Sequence, residues 1–211
     1  MEIGTTTLDT DAQNFISYAG ITDATQKSAI NQLVLDLKSY GIWNKSYAIY
    51  PVVGGTATTH SYNLKNPAYL PLTFTAGWTH SSTGMTPNGS AYADTNFNPS
   101  VNGTLNSAHL SFYSRTNTNT SQIEIGCSNG TDYNALQIRT TNLTYSLINQ
   151  SALTSFSDTN SQGFYVGNRQ LSNDIDGWKN GVKQVNGTTA STNRPNRVMF
   201  IGALNLFDVR V

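Results

Sequence analysis

Apolar residues along the chain follow two different periods, and the change between them falls near Trp43. Before it, Ala12, Phe15 and Ile16 mark one short helical face, and Ala29, Ile30, Leu33, Val34 and Leu37 mark a longer one. Thr10 with Gln13, and Asp23 with Gln26, have the spacing of capping boxes. Gly20 and Gly41 stand where helices stop, with Ile42 placed to fold back on the last turn. The pattern predicts a short helix followed by one of about four turns. The polar face of the second helix, with Gln26, Lys27, Asn31 and Lys38, is expected to stay wet. Its apolar stripe must pack on something: it either closes one end of a β core or joins subunits.

After Trp43 the period shortens to two. Strands are predicted at 47–53 (YAIYPVV), 72–80, 108–116, 121–127, 134–141, 143–149, 163–170, within 176–189, at 197–203 and at 206–211. In 108–116, Leu110, Phe112 and Ser114 share a face. Asn180-Gly181 between alternating flanks predicts a two-residue hairpin turn. Many short strands with regular turn signals imply an antiparallel sandwich or barrel. Residues 81–107, polar and rich in Gly, Pro and Asn, read as a long functional loop. The expected organisation is a tail and two-helix extension over 1–46 and a β-sandwich over 47–211, as one compact unit.

Composition narrows the partners. The 211 residues carry no net charge, and only 11% are charged. No basic stripe is present to neutralise phosphates, so neither nucleic acid nor an anionic membrane surface is an expected partner. No apolar stretch approaches the ~20 residues of a spanning helix, so no membrane insertion is expected. The N-terminus has no basic region followed by an apolar run, which predicts no signal peptide and synthesis in a cytoplasm. Cys127, the only cysteine, reads as a buried inert thiol.

Candidate chemistry is sparse. Glycosidases of the sandwich type need two carboxylates flanking the scissile bond. The glutamates are Glu2 and Glu124; Glu124 has Gln122 and Gly126 at its alternate positions and reads as an outward, solvated side chain. His60, His80 and His109 fall in different segments, and His80 reads as a loop histidine. SNDIDG (172–177) lacks the closing Glu of a calcium loop and reads as a turn. The chain is therefore predicted not to be an enzyme, with no catalytic, cofactor-binding or metal-binding residues. Trp78, Tyr92 and Trp178, set among Asn and Asp near loops or hairpin ends, are the candidate carbohydrate-binding residues.

The stretch AGITDATQKSAINQLVLDLKSYGIWNKSYAIYPVVGG, continued by TATTHSYNLKNP, resembles the opening of a family of tailed-bacteriophage virion proteins. GWTHSSTGMTPNGSAYADTNFNPS (77–100), HLSFYSRTN (109–117), GFYVGNRQ (163–170) and WKNGVKQ (178–184) extend the resemblance over nearly the whole chain from Asp9. It implies a pair of helices before a jelly-roll β-sandwich of the concanavalin A-like, laminin G-like type. It also implies a virion structural protein: a surface-exposed fibre, appendage or capsid-decorating subunit. Expected partners are the chain itself, as a homo-oligomer with a trimer favoured, and other virion proteins. A carbohydrate-binding module for host surface glycans is the second reading, and a glycoside hydrolase using Glu124 or Asp94 the third. LFDVRV resembles the final strand of laminin G-like domains, where a turn and short helix usually follow; a strand ending bare at Val211 would invite pairing with another chain.

Overall fold

Two helices open the computed structural model, which describes residues 7–211; Glu2 lies outside the described residues. They are α1 (Thr10–Ala19) and α2 (Ala24–Ser39). Asp9, one residue before the expected cap, starts α1. Its carboxylate accepts the Asp11 N–H at 2.9 Å and pairs with Lys38 at 2.7 Å, and Lys38 also reaches Asp11 at 2.6 Å. The Lys38 hydrogen bond holds the Asp9 carboxyl below its usual range. A carboxylate outcompetes the Thr10 hydroxyl here because it caps the helix and meets a cation together. Both helices end with a left-handed glycine, Gly20 and Gly41, and the next N–H folds back: Ile21 to Ile16 O at 3.0 Å, Ile42 to Leu37 O at 2.8 Å.

The second helix is rotated from the expected stripe. Ile30, Asn31 and Val34 are buried, Leu37 packs beside them, and Ala29 and Leu33 face outward. The cause is Asn31, whose Oδ1 accepts the Asp9 N–H at 2.7 Å and draws its side of the helix inward. Asn31 thus leaves the wet face, while Lys38 turns toward Asp9 and Asp11 with part of its side chain still exposed. Ala12, Phe15, Ile16, Ile21, Ile30 and Val34 form a core with Trp43 and Leu64. The helices thus bury their apolar faces against each other and the 43–64 segment.

A 3₁₀ turn (Trp43–Lys45) and α3 (Ala57–Ser61) follow. The strand expected at 47–53 does not form. Val52, Gly54 and Gly55 all take positive φ, and the Ile49 N–H is bound by the Asn63 side chain at 3.0 Å rather than by a neighbouring strand. The strand expected at 72–80 is split into β1 (Thr73–Phe74) and β2 (Trp78–Ser81). Gly77 breaks it, at φ 100° with the Asn88 amide where a Cβ would stand. β2 pairs with β3 (Gly84–Pro87) as a hairpin. The chain divides after Ser90 into two compact units.

The C-terminal unit begins with β4 (Ala93–Asp94), α4 (Pro99–Asn102), β5 (Ala108–Ser114), β6 (Ile125–Ser128), β7 (Tyr133–Thr140), β8 (Leu143–Gln150) and β9 (Ser155–Ser157). It continues with β10 (Gly163–Leu171), β11 (Asp174–Lys179), β12 (Val182–Gly187), β13 (Phe200–Ile201), β14 (Leu204–Leu206) and β15 (Val209–Arg210). One sheet runs β4-β13-β6-β7-β8-β9 with antiparallel pairs; β14 joins β6 in parallel and pairs with β15. The other, wholly antiparallel, runs β12-β11-β10-β5. β10 and β11 pack over β8. At Gly167 a Cβ would collide with Ser146 Oγ, so only glycine permits this approach. Leu136, Ile138, Ile148, Tyr165 and Ile175 are buried between the layers. The protein is thus mainly β, with antiparallel sheets and N-terminal helices.

Asn180 and Gly181 take positive φ and make the expected hairpin turn. LFDVRV is not one strand: Phe207 and Asp208 also take positive φ, folding β14 and β15 into a hairpin with the Phe207 ring over Gly130. Cys127 is fully buried, and burial pushes its thiol up to about 12. Among the described residues no helix is long and apolar enough to cross a membrane.

Candidate functional site

Alternation along β10 sends Tyr165, Gly167 and Arg169 to the core and Phe164, Val166 and Asn168 to the opposite face. Strand register then builds rows across that face. One row is Asn186, Asp176, Asn168 and His109, a residue from each of β12, β11, β10 and β5. The next is Lys183, Trp178, Val166 and Ser111. Beyond them Phe164 lies opposite Tyr113; these aromatics are 44% and 63% exposed. Past Tyr113 an open depression of about 420 Å³ is lined by Arg115, Gln162 and Asn180 among others.

Asp176 is the unusual member. It is 2% exposed although it points away from the core. Lys183 covers it: Nζ lies 2.7 Å from Asp176 Oδ2 and 5.1 Å from the centre of the Trp178 ring. Oδ1 has no hydrogen-bond partner. Asp158, in the same unit, shows the contrast. Tyr165 and Thr144 donate to its Oδ2 at 2.5 and 3.0 Å, and Lys179 and the Asn160 N–H donate to Oδ1. Burial alone would raise the Asp158 carboxyl, but these donors hold it below its usual range. Asp158 is a satisfied structural carboxylate, whereas Asp176 keeps an acceptor free beside two amides and an indole. Oδ1 is itself shielded from solvent, so a ligand hydroxyl would reach it only with Lys183 swung aside, while the Trp178 ring offers an apolar face. A cation is disfavoured, because the Lys183 ammonium already occupies the other oxygen.

Of the sequence candidates, only Trp178 lies on this face. Tyr92 stacks on Phe200 of the other sheet, centroids 4.3 Å apart. Trp78 belongs to the N-terminal unit, half-buried and edge-on to Phe74 at 5.4 Å. The sequence reading missed Asp176, Asn168 and Lys183. The Asn180-Gly181 turn carried the signal, since a two-residue loop pairs Lys179 with Val182 and so sets Trp178 opposite Lys183.

Two expectations are corrected here. Glu124 is not an outward, solvated residue: Oε2 accepts the Ile138 N–H at 2.6 Å, and burial pushes its carboxyl up to about 8. His80 is not in a loop; it lies within β2 and meets His60. Comparison with protein-family models, with curated proteins and with solved structures finds no match to the chain.

Proposed function

We propose that the chain is a structural subunit of a tailed-bacteriophage virion, displayed as a fibre, appendage or capsid decoration. Its antiparallel layers are read as a lectin-like jelly-roll of the concanavalin A type. The observation that carries this reading is the block from Phe15 to Asn66, where two capped helices, a Trp and a Pro-Val-Val-Gly-Gly turn occur in the order of the virion family. Two facing antiparallel layers behind it, and a surface polar through Thr and Asn rather than charge, support the same reading. Mass spectrometry of purified particles tests it. The chain is expected in them at structural copy number; particles without it remove the reading.

A homo-oligomer, with a trimer favoured, belongs to this proposal. Leu33, Leu35, Tyr40 and Ile42 are 37%, 42%, 75% and 45% exposed on or just after α2, which gives a subunit contact apolar surface to bury. Because Leu33 faces outward, Leu33→Asp should leave the fold intact and lower the mass seen by light scattering to that of a monomer. A wild-type chain that is already monomeric ends the claim.

The second reading, carbohydrate binding, is favoured by Trp178 and Asn168 on one face, with the unpartnered Asp176 oxygen beneath Lys183 ready to accept a hydroxyl once that side chain swings aside. On an array of bacterial surface glycans, Asp176→Asn and Trp178→Ala are each expected to weaken binding at least about tenfold, ~1.4 kcal/mol. Tyr92→Ala, whose ring is engaged with Phe200, should change it little. Glycan binding untouched by the first two variants would clear this face of the role.

A further inference from the structure

His60, in α3, is fully buried, and its Nε2 accepts the Gly55 N–H at 3.2 Å. A ring nitrogen that accepts carries no proton, so the proton of the neutral His60 ring sits on Nδ1. That nitrogen lies 2.9 Å from His80 Nδ1. The bond needs a single proton: His60 donates it, His80 Nδ1 accepts, and the His80 proton is left on Nε2. A further proton on His80 Nδ1 would set two N–H groups face to face. His60 cannot yield by changing tautomer, because a proton on Nε2 would meet the Gly55 N–H.

The segments joined by this pair are closely fitted. Gly54 and Gly55 take φ of 84° and 80°, and a Cβ on Gly55 would stand 3.0 Å from the Ser82 nitrogen, at the turn of the β2–β3 hairpin. The Phe74 ring of β1 lies 4.8 Å from the His80 ring, and His80 pairs across the hairpin with Met85. No charged side chain of the 51–56 turn, α3, β1, β2 or β3 faces the pair, since none of these segments contains Asp, Glu, Lys or Arg. Between 46 and 90 the charged residue is Lys65, whose ammonium lies 3.8 Å over the Trp43 ring and donates to Trp43 O. On the α2 side, Gln26 binds the Gly54 N–H, and its charged neighbours are Asp23 and Lys27.

We propose that His60 and His80 form an acid-opened latch: protonation of His80 breaks the Nδ1–Nδ1 bond and releases the Gly55 turn and the β2–β3 hairpin from one another. The sign follows from burial, which holds both imidazoles below the ordinary value of 6.5, His60 at about 4. The unfolded chain therefore takes up protons first on acidification. The latch contributes fully above pH 6.5 and loses its hold as pH falls below that value.

Nitrogen-edited NMR of the imidazoles in the full chain, with hydrogen exchange corrected for its intrinsic pH dependence, tests this. At neutral pH the His60 proton is expected on Nδ1 and the His80 proton on Nε2. On acidification the His80 resonances and the Gly55 amide should move together, and exchange over 52–61 should quicken by about tenfold or more. His80→Asn places Oδ1 where Nδ1 accepted, keeping the bond without a titrating ring, and should shift this opening at least about one pH unit lower. Rings that titrate independently near 6.5 with the Gly55 amide unmoved, or an unchanged acid opening in His80→Asn, would overturn the latch. So would imidazole resonances that shift when EDTA is added, because the pair would then be holding a metal.

Discussion

Arg169→Met is expected to cost the C-terminal unit on the order of 3–5 kcal/mol, a large part of the stability of a domain. Arg169 is 1% exposed and sits on the core side of β10. Its guanidinium donates to Ile148 O at 2.6 Å, to Gln150 Oε1 at 2.7 Å, to Ser172 O at 2.8 Å, to Thr189 O at 3.1 Å and to Leu171 O at 3.3 Å. These acceptors belong to β8, to the end of β10 and the turn after it, and to the segment after β12, so one side chain ties three stretches of backbone together. The ion pairs among the described residues do not include Arg169; its hydrogen bonds all go to neutral oxygens, with the Asp174 charge acting from farther off. Methionine fills similar volume and removes the buried charge, which offsets part of the loss, but it takes a donor from five acceptors; Ser172 O keeps the Ser191 N–H at 2.6 Å, and an acceptor left bare costs about 1–3 kcal/mol where water cannot replace the donor. Arg169→Lys restores the charge with three donors on one nitrogen, which cannot span the acceptors, so it should recover only part of the loss. Denaturant unfolding followed by far-ultraviolet circular dichroism measures both. A loss below about 1 kcal/mol in Arg169→Met would mean that water reaches those carbonyls.

Arg169 also shows where sequence reading stops. In GFYVGNRQ the alternation that predicts β10 equally predicts that Tyr165, Gly167 and Arg169 share a face, which they do. What alternation cannot say is that the face carrying an arginine is the buried one. That is decided by carbonyls from three separate stretches, at 148, at 171–172 and at 189. The strands of the two large hairpins were legible because local turn chemistry and period agree there, as at Asn180-Gly181. YAIYPVV misled because its apolar residues pack onto the helical core from an irregular backbone, with Ile49 and Val53 against it. LFDVRV misled because Phe and Asp give only a faint turn signal. The candidate site was legible in one residue, Trp178. Its neighbours Asp176 and Asn168 are ordinary polar residues until register places them opposite each other, and the value of Asp176 lies in a missing partner that no sequence displays. His60 and His80 were dismissed as distant for the same reason; twenty residues apart in the chain, they share one proton in space.

Glu124→Gln is expected to raise the melting temperature at alkaline pH while changing it little near pH 5. The chain leaves the β6–β7 ladder beside Glu124: its own N–H reaches Leu136 O at 3.2 Å, and the next backbone-to-backbone hydrogen bond from this stretch to β7 is Thr120 N–H to Arg139 O. The Ile138 N–H between them would be orphaned, and Glu124 Oε2 takes the place of the absent carbonyl at 2.6 Å. A neutral carboxyl does this as well as a charged one, and burial favours the neutral form, pushing the group from 4.5 up to about 8. The native state then holds a proton that the unfolded chain has already released. Stability from this group is complete below pH 4.5 and is lost as pH rises through 8. The total is on the order of 5 kcal/mol at most, or roughly 10–20 °C for a chain of this size, spread over the whole interval between the two values. Glutamine offers the same acceptor with no proton to lose, so its melting temperature should stay level from pH 7 to 9 while the wild type falls. Over that range the two latch histidines are already neutral, and the slope belongs to Glu124 rather than to them. Glu124→Ala separates the hydrogen bond from the charge: it strands the Ile138 N–H and should be destabilised at every pH by about 1–3 kcal/mol. Parallel wild-type and Glu124→Gln curves from pH 7 to 9 would show that water reaches the carboxyl and that its burial is not felt.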